Sequence, residues 1–257
     1  MSSSIWTRCA GASSATQSRI VRPLRLSPWR VVEAQHQVST RKLVDSAEEQ
    51  VLLEELIDRA KPPDITGGKL HYLLSTPFRY PPLRHGSRFG NRFDRGIWYG
   101  SETRRTVFAE VAYYRLVFLE GTQADLGAVT TQLTAFTVRA RSLRGVDLVL
   151  TPFDAHRRAI ASPAKYAATQ ALGADMRRAG IELFRYPSAR DPDGGVNVAA
   201  LAPSVFGTAK PRGLETWHCT ATRQLVEVAK RDYFGRESFA FPREQFLVGG
   251  SLPAPAL

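Results

Sequence analysis

Between Phe78 and Glu110 the chain reads FRYPPLRHGSRFGNRFDRGIWYGSETRRTVFAE, a dense run of arginines and aromatic rings that closes on a carboxylate. Five arginines (Arg79, Arg84, Arg88, Arg92 and Arg95) fall beside one acid, Asp94, and Phe78, Tyr80, Phe89, Phe93, Trp98 and Tyr99 interleave with or flank them. A guanidinium fork matches phosphate oxygens two at a time, and flat rings stack on bases or nicotinamide. With Glu110 beside them, these groups could hold an anionic, ring-bearing substrate and cleave it next to an acid. A nucleotide is such a substrate. A basic surface over an aromatic core would have the same composition, so residue types alone leave both readings open.

The elements that must position these groups are legible in outline. Ser101 or Thr103 can cap a helix running to about Leu119, with Val107, Phe108, Val111, Ala112 and Leu116 as its buried stripe and Glu110 beside it. A carboxylate near a helix N-terminus is also eased by the macrodipole. Gly96 to Gly100 reads as a short buried strand carrying Trp98 and Tyr99, and Leu70 to Ser75 as a strand leading into Phe78-Arg79-Tyr80. Ser46-Ala47-Glu48-Glu49 is a capping box. The helix it starts repeats Leu52, Leu53, Leu56, Ile57 and Ala60 until Pro62-Pro63, and should pack on the domain with its acidic face in water. Downstream, Thr130 to Arg141 and Val146 to Leu150 are β-rich, and Ala164 to Arg178 is helical, closed by Gly180. Ile181 to Arg185 is a strand entering Tyr186-Pro187-Ser188-Ala189-Arg190, and a turn at 191–195 precedes the strand Val196 to Leu201. Glu215 to Val228 reads as one or two strands. Strands and helices without strict βαβ alternation predict an α+β fold.

The chain has 257 residues, 43% of them hydrophobic and 23% charged, the make-up of an ordinary globular protein. Its net charge of +11 suggests nucleic acid as a partner, but the distribution weakens that reading. Residues 1–42 hold seven bases against Glu33 alone, a net +6, which leaves only +5 for the remainder. The first 20 residues are Ser-rich, basic and free of acids. They suit a transit peptide, a disordered head or a start codon set too far upstream. No apolar stretch reaches the roughly 20 residues that span a bilayer. Cys9 and Cys219 are far apart, and the five histidines (His36, His71, His85, His156, His218) lack ligand spacing, so no metal site is expected. No GxGxxG after a strand, P-loop, HExxH or GxSxG occurs. A nucleotide pocket here must be of the Arg/Tyr/Glu type.

Phe78-Arg79-Tyr80, Ser87-Arg88-Phe89, Ile97-Trp98-Tyr99-Gly100 and Thr106-Val107-Phe108-Ala109-Glu110, in that order, resemble the RES-domain proteins. That family is named for an arginine, a glutamate and a serine, and the serine matches Ser188, with Gly195-Val196-Asn197-Val198 as the family's next strand. The segment from Trp29 to Asp58 looks like an extension found in one branch. The resemblance spans roughly residues 29–235. With residues 1–27 read as a basic, disordered head from their unpatterned Ser, Ala and Arg, the expected division is that head, a helical N-terminal extension at 28–66, a RES domain at 67–245 and a C-terminal tail at 246–257.

The resemblance implies a cytoplasmic toxin of a toxin–antitoxin pair, with a mixed sheet related to ADP-ribosyltransferases. NAD+ would be its substrate, with no other cofactor. It further implies a cognate Xre-type helix-turn-helix antitoxin, contact with nucleic acid only through that antitoxin, no membrane, and a homodimer or toxin–antitoxin hetero-oligomer. The catalytic residues would be Glu110, Arg79 and Ser188, with Arg88, Tyr80, Tyr99 and Asn197 on the NAD+. Cleaving the nicotinamide–ribose bond makes an oxocarbenium-like ribose, so negative charge is needed at the sugar; nicotinamide leaves neutral and needs no strong acid. Two alternatives stand beside a glycohydrolase or phosphorylase: a protein ADP-ribosyltransferase using the same pocket, and a basic nucleic-acid-binding module. Arg84, Arg92 and Arg95 are expected in solvent. Two features depart from the usual family pattern: the long 130–178 region before the serine, and the basic head.

Overall fold

The computed structural model of the protein describes residues 4–11, 19–34, 43–82, 84–232 and 235–253. In chain order they form α1 (Ile5–Ala10), β1 (Arg22–Leu26), β2 (Trp29–Glu33), α2 (Ala47–Ala60), α3 (Tyr72–Arg79), β3 (Trp98–Ser101), α4 (Arg104–Glu120), β4 (Val129–Thr137) and β5 (Ala140–Asp147). There follow α5 (Arg157–Ile160), α6 (Ala167–Arg178), β6 (Leu183–Pro187), β7 (Val196–Ala200), β8 (Arg212–Ala221), β9 (Leu225–Asp232) and β10 (Gly235–Pro242). The strands join in one sheet, ordered β1-β5-β6-β7-β3-β2-β4-β8-β9-β10. Among the described residues only β5 and β6 pair in parallel. A parallel pair needs a crossover, which α5 and α6 supply. The fold is α+β, a mixed sheet with flanking helices, as the pattern of elements predicts.

The two-residue period of the strands sorts side chains between the faces. Trp98, Leu183 and Val198 go to one face, where they pack with Leu73, Leu74 and Phe78 of α3. Tyr99, Phe184 and Tyr186 go to the other and pack with Phe89 and with Leu172 and Met176 of α6. Along that second face, Phe108, Ala112 and Leu116 of α4 pack on Leu133, Trp217, Val228 and Phe241. Register sets Asn197 opposite both Ser101 and Tyr186, on the face that carries α4 and α6.

Several expectations need correction. Leu70 to Ser75 is not a strand; most of it starts α3, capped by His71, whose Nδ1 accepts from the Leu73 amide. A short apolar run does not reveal its period, and Leu74 and Phe78, four apart, are both buried as in a helix. The head is ordered at both places where it is described. Ser4 caps α1, which buries Ile5, Trp6 and Ala10, and the Trp6 ring packs on Phe153 with centroids 6.1 Å apart. Further on, β1 pairs with β5. One tryptophan and one isoleucine supply enough apolar surface to fix a single turn and a half, though too little to make a periodic signal. Residues 1–3 and 12–18 of the head lie outside the described residues. The extension expected over 28–66 contributes β2 to the middle of the sheet, between β3 and β4, as well as a helix. That helix, α2, has its capping box but buries no residue, and Leu52 and Leu56 of its stripe are exposed, as is Val51. The tail also packs: Phe246 is buried and the Tyr113 hydroxyl donates to the Pro253 carbonyl.

Candidate active site

On the face shared by α4 and α6, a cavity of about 670 Å³ opens over β2, β3 and β7. Its wall includes Arg30, Arg88, Tyr99, Glu110, Tyr166 and Asn197. Thr103 caps α4 by accepting from the Thr106 amide, and Glu110 follows nearly two turns in. That distance is beyond the first turn, where the helix dipole acts, so other groups must hold the carboxylate.

Two side chains do so. Glu110 Oε1 accepts from Ser188 Oγ at 2.7 Å and from Asn197 Nδ2 at 2.6 Å. Both donors are fixed from behind. Ser188 Oγ accepts the backbone N–H groups of Arg190 and Asp191 at 3.1 and 3.2 Å, so its own proton is directed at Glu110. Asn197 Oδ1 accepts from Ser101 Oγ at 2.6 Å, which turns the amide nitrogen toward Glu110. Asn197 and Ser101 are almost wholly buried, and Ser188 is buried too. Glu110 Oε2 has no bond to any described residue, on a side chain that lines the cavity. A carboxylate with one oxygen saturated and the other free is oriented for an incoming hydroxyl or a developing positive charge.

The turn that holds Ser188 needs glycine at 195. The Ser188 amide donates to the Gly195 carbonyl, and a Cβ at Gly195 would come within 2.3 Å of Asp191 Oδ2 and Thr106 Oγ1. Asp191 accepts from Thr106 Oγ1 at 2.7 Å, which ties the turn to the start of α4.

Two cations line the same cavity. Arg88 is buried; its Nη1 donates to the carbonyls of Ile160 and Ser162, and its guanidinium sits 4.6 Å above the Tyr166 ring. It therefore fastens the 160–166 segment as a wall of the cavity. Arg30 reaches in from β2, and its Nη1 donates to the Tyr99 carbonyl at 2.6 Å. Its Nε has no partner, and burial pulls its pKa down to about 10, still charged at neutral pH. Neither arginine pairs with a carboxylate among the described residues. The Tyr99 hydroxyl shares a hydrogen bond of 3.0 Å with Ser87 Oγ and accepts the Phe89 amide, and burial pushes its pKa up to about 12. Among the described residues no cluster of three or more His, Cys, Asp or Glu could hold a metal. No helix among them is long and apolar enough to cross a membrane.

Residues 61–222 match the RES domain family model. The chain belongs to the RES-domain family. The crystal structure of the M. tuberculosis MbcT–MbcA toxin–antitoxin complex is among its structural matches, at 12% identity and a TM-score of 0.46, covering 80% of this chain and 90% of that one. No curated protein matches the chain.

Of the residues that the RES resemblance singles out, the fold brings Glu110, Ser188, Asn197, Arg88 and Tyr99 together. Arg79 stands apart: it lines no cavity described here, and its Nε donates to the Pro62 carbonyl. Tyr80 lines a neighbouring cavity instead of the one at Glu110. Arg84, Arg92 and Arg95 are exposed, as expected. Sequence reasoning missed Arg30, Ser101 and Tyr166. The signal for Arg30 was its place inside the β-prone run Trp29-Arg30-Val31-Val32, where a strand must bury or pair it.

Proposed function

We propose that this RES-domain protein cleaves the nicotinamide–ribose bond of NAD+, as a glycohydrolase or phosphorylase, and acts as the toxin of a toxin–antitoxin pair. The observation that carries the reading is the carboxylate of Glu110, pinned through Oε1 by Ser188 and Asn197, with Oε2 free, on a cavity also lined by two arginines that no carboxylate neutralises. As the C–N bond breaks, nicotinamide takes the bonding pair and leaves neutral, and positive charge builds on the ribose. Glu110 stabilises that charge and accepts a hydrogen bond from a ribose hydroxyl. Water or phosphate then attacks the anomeric carbon and loses its proton to solvent. Arg30 grips the pyrophosphate, and Tyr99 and Tyr166 border the nicotinamide and ribose. Arg88 keeps the Tyr166 wall in place.

Incubating the purified protein with NAD+, with and without phosphate, tests the reading by chromatography. Free nicotinamide with ADP-ribose indicates a glycohydrolase, and with ADP-ribose phosphate a phosphorylase; label on proteins of an added lysate indicates an ADP-ribosyltransferase. No release of nicotinamide under any of these conditions refutes all three. A neutralising partner, proposed as an Xre-type helix-turn-helix antitoxin, is tested by co-expression with the adjacent gene.

A further inference from the structure

Beside the Glu110 cavity lies a second one, of about 430 Å³, lined by α3 and by Pro81, Pro82 and Ile97. Both volumes fall within the range of about 300–1,000 Å³ usual for small-molecule sites. The two cavities share Arg30, Val32, Ser87 and Tyr99 as their common wall. Tyr72 and Tyr80 stand at the second cavity half-open to water, at 51% and 39% exposure, whereas Trp98 and Tyr113 are sealed in the core. Among the described residues, Arg30 is the only charged side chain lining it. This cavity is thus built for a flat, neutral group, with one cation at the edge nearest Glu110.

We propose that this second cavity holds the adenosine half of a dinucleotide whose other half lies on Glu110, with Arg30 at the pyrophosphate between them. The inference rests on the proposed NAD+ chemistry and adds the subsite. Its physical basis is the position of the charge. A mononucleotide carries its phosphate at one end, while a dinucleotide carries two negative charges midway between two ring-bearing halves. Here one partly buried guanidinium, its Nε sealed from water, stands on the wall common to two ring-lined cavities. It is held on one side by the Tyr99 carbonyl and 5.3 Å from the Trp98 ring centre, with Nε unpartnered. A buried cation without an anion is costly, and a pyrophosphate there would supply one. The adenine would lie against Tyr72 and Tyr80, which moves Tyr80 from the nicotinamide to the opposite end of the substrate.

The test fills the second cavity and leaves the first alone. Thr76 lines it from α3, is exposed and has no place in the Glu110 network. Titration calorimetry would give the affinity of the full chain for AMP, and kinetics would give kcat/KM for NAD+ and for nicotinamide mononucleotide, which lacks the adenosine half. Thr76→Trp should weaken AMP binding and lower kcat/KM for NAD+ by about tenfold or more, the scale of losing one base–aromatic stack. Its kcat/KM for the mononucleotide should stay within about twofold. Tyr80→Ala, a truncation at a half-exposed site, should act in the same direction and covers the case in which the tryptophan variant does not fold. If wild type binds AMP and neither variant weakens it, or if both nicotinamide substrates lose activity equally, the subsite is refuted. If wild type cleaves neither substrate, the glycosidic reading fails; loss of AMP binding in the variants would still uphold the adenosine cavity.

Discussion

Replacing Glu110 by glutamine separates the charge of the site from its geometry. The amide oxygen can occupy the place of Oε1 and go on accepting from Ser188 Oγ and Asn197 Nδ2, now at 2.7 and 2.6 Å. The two bonds weaken from charge-assisted to neutral, at most about 1 kcal/mol each. Relief from holding a charge partly out of water offsets some of that loss. Thermal stability should therefore fall by no more than about 8 °C, at 2–4 °C per kcal/mol for a chain of this size. Catalysis should respond quite differently. A carboxylate about 4 Å from a ribose carrying nearly a full positive charge contributes about 4 kcal/mol at an effective dielectric of 20. Removing it should cost about a thousandfold in kcat. The assay is nicotinamide release from NAD+ at saturation, with ADP-ribose affinity measured in parallel and expected to change little. A variant that keeps more than about a tenth of wild-type kcat would refute the electrostatic role of Glu110. A melting temperature that collapses together with activity would refute the claim that the network tolerates a neutral acceptor.

Ser188→Ala removes a donor to Glu110 and strands the amides of Arg190 and Asp191, so kcat should fall about ten- to a hundredfold and stability by about 1–3 kcal/mol in denaturant melts. Arg30→Ala should weaken ADP-ribose binding by about tenfold or more in calorimetry. With a folded-state pKa of about 10, Arg30 is charged below that pH and loses its charge above it. Wild-type affinity for ADP-ribose should therefore decline as pH rises through about 10, a step absent from Arg30→Ala; Tyr99, pushed up to about 12, stays neutral across it. Arg79→Ala should leave kcat and KM within about threefold of wild type, since its contact is with Pro62, and a hundredfold loss would return it to the active site. Trp6→Ala should lower stability by about 3 kcal/mol or more with little change in KM, because the ring is 4% exposed, packs on Phe153 and lines neither cavity.

The chemistry-bearing residues were legible where local sequence carries the cause. Thr103 caps a helix whose stripe, Val107, Phe108, Ala112 and Leu116, fixes where Glu110 sits, and glycines bracket the strand of Tyr99. The order of the Arg, Glu and Ser segments pointed to the RES family before any contact was known. Strands and helices without strict βαβ alternation pointed to α+β, and the turn before Val196 put Ser188 at a strand end.

What tertiary structure decided is which charges meet. Arg79 and Arg88 look alike in sequence, nine residues apart and each followed by an aromatic ring, yet one caps a loop carbonyl while the other is buried in the cavity wall. Arg30 sat in what was expected to be a helical extension, and became a central cation only because β2 is inserted between β3 and β4. Strand order is set by long-range packing of whole faces, which no local window contains. The same holds for the hydrogen bonds to Glu110: donors 78 and 87 residues away reach one carboxylate oxygen because β6, β7 and α4 share a face of the sheet. Sequence named the groups, and the sheet determined which of them became one site.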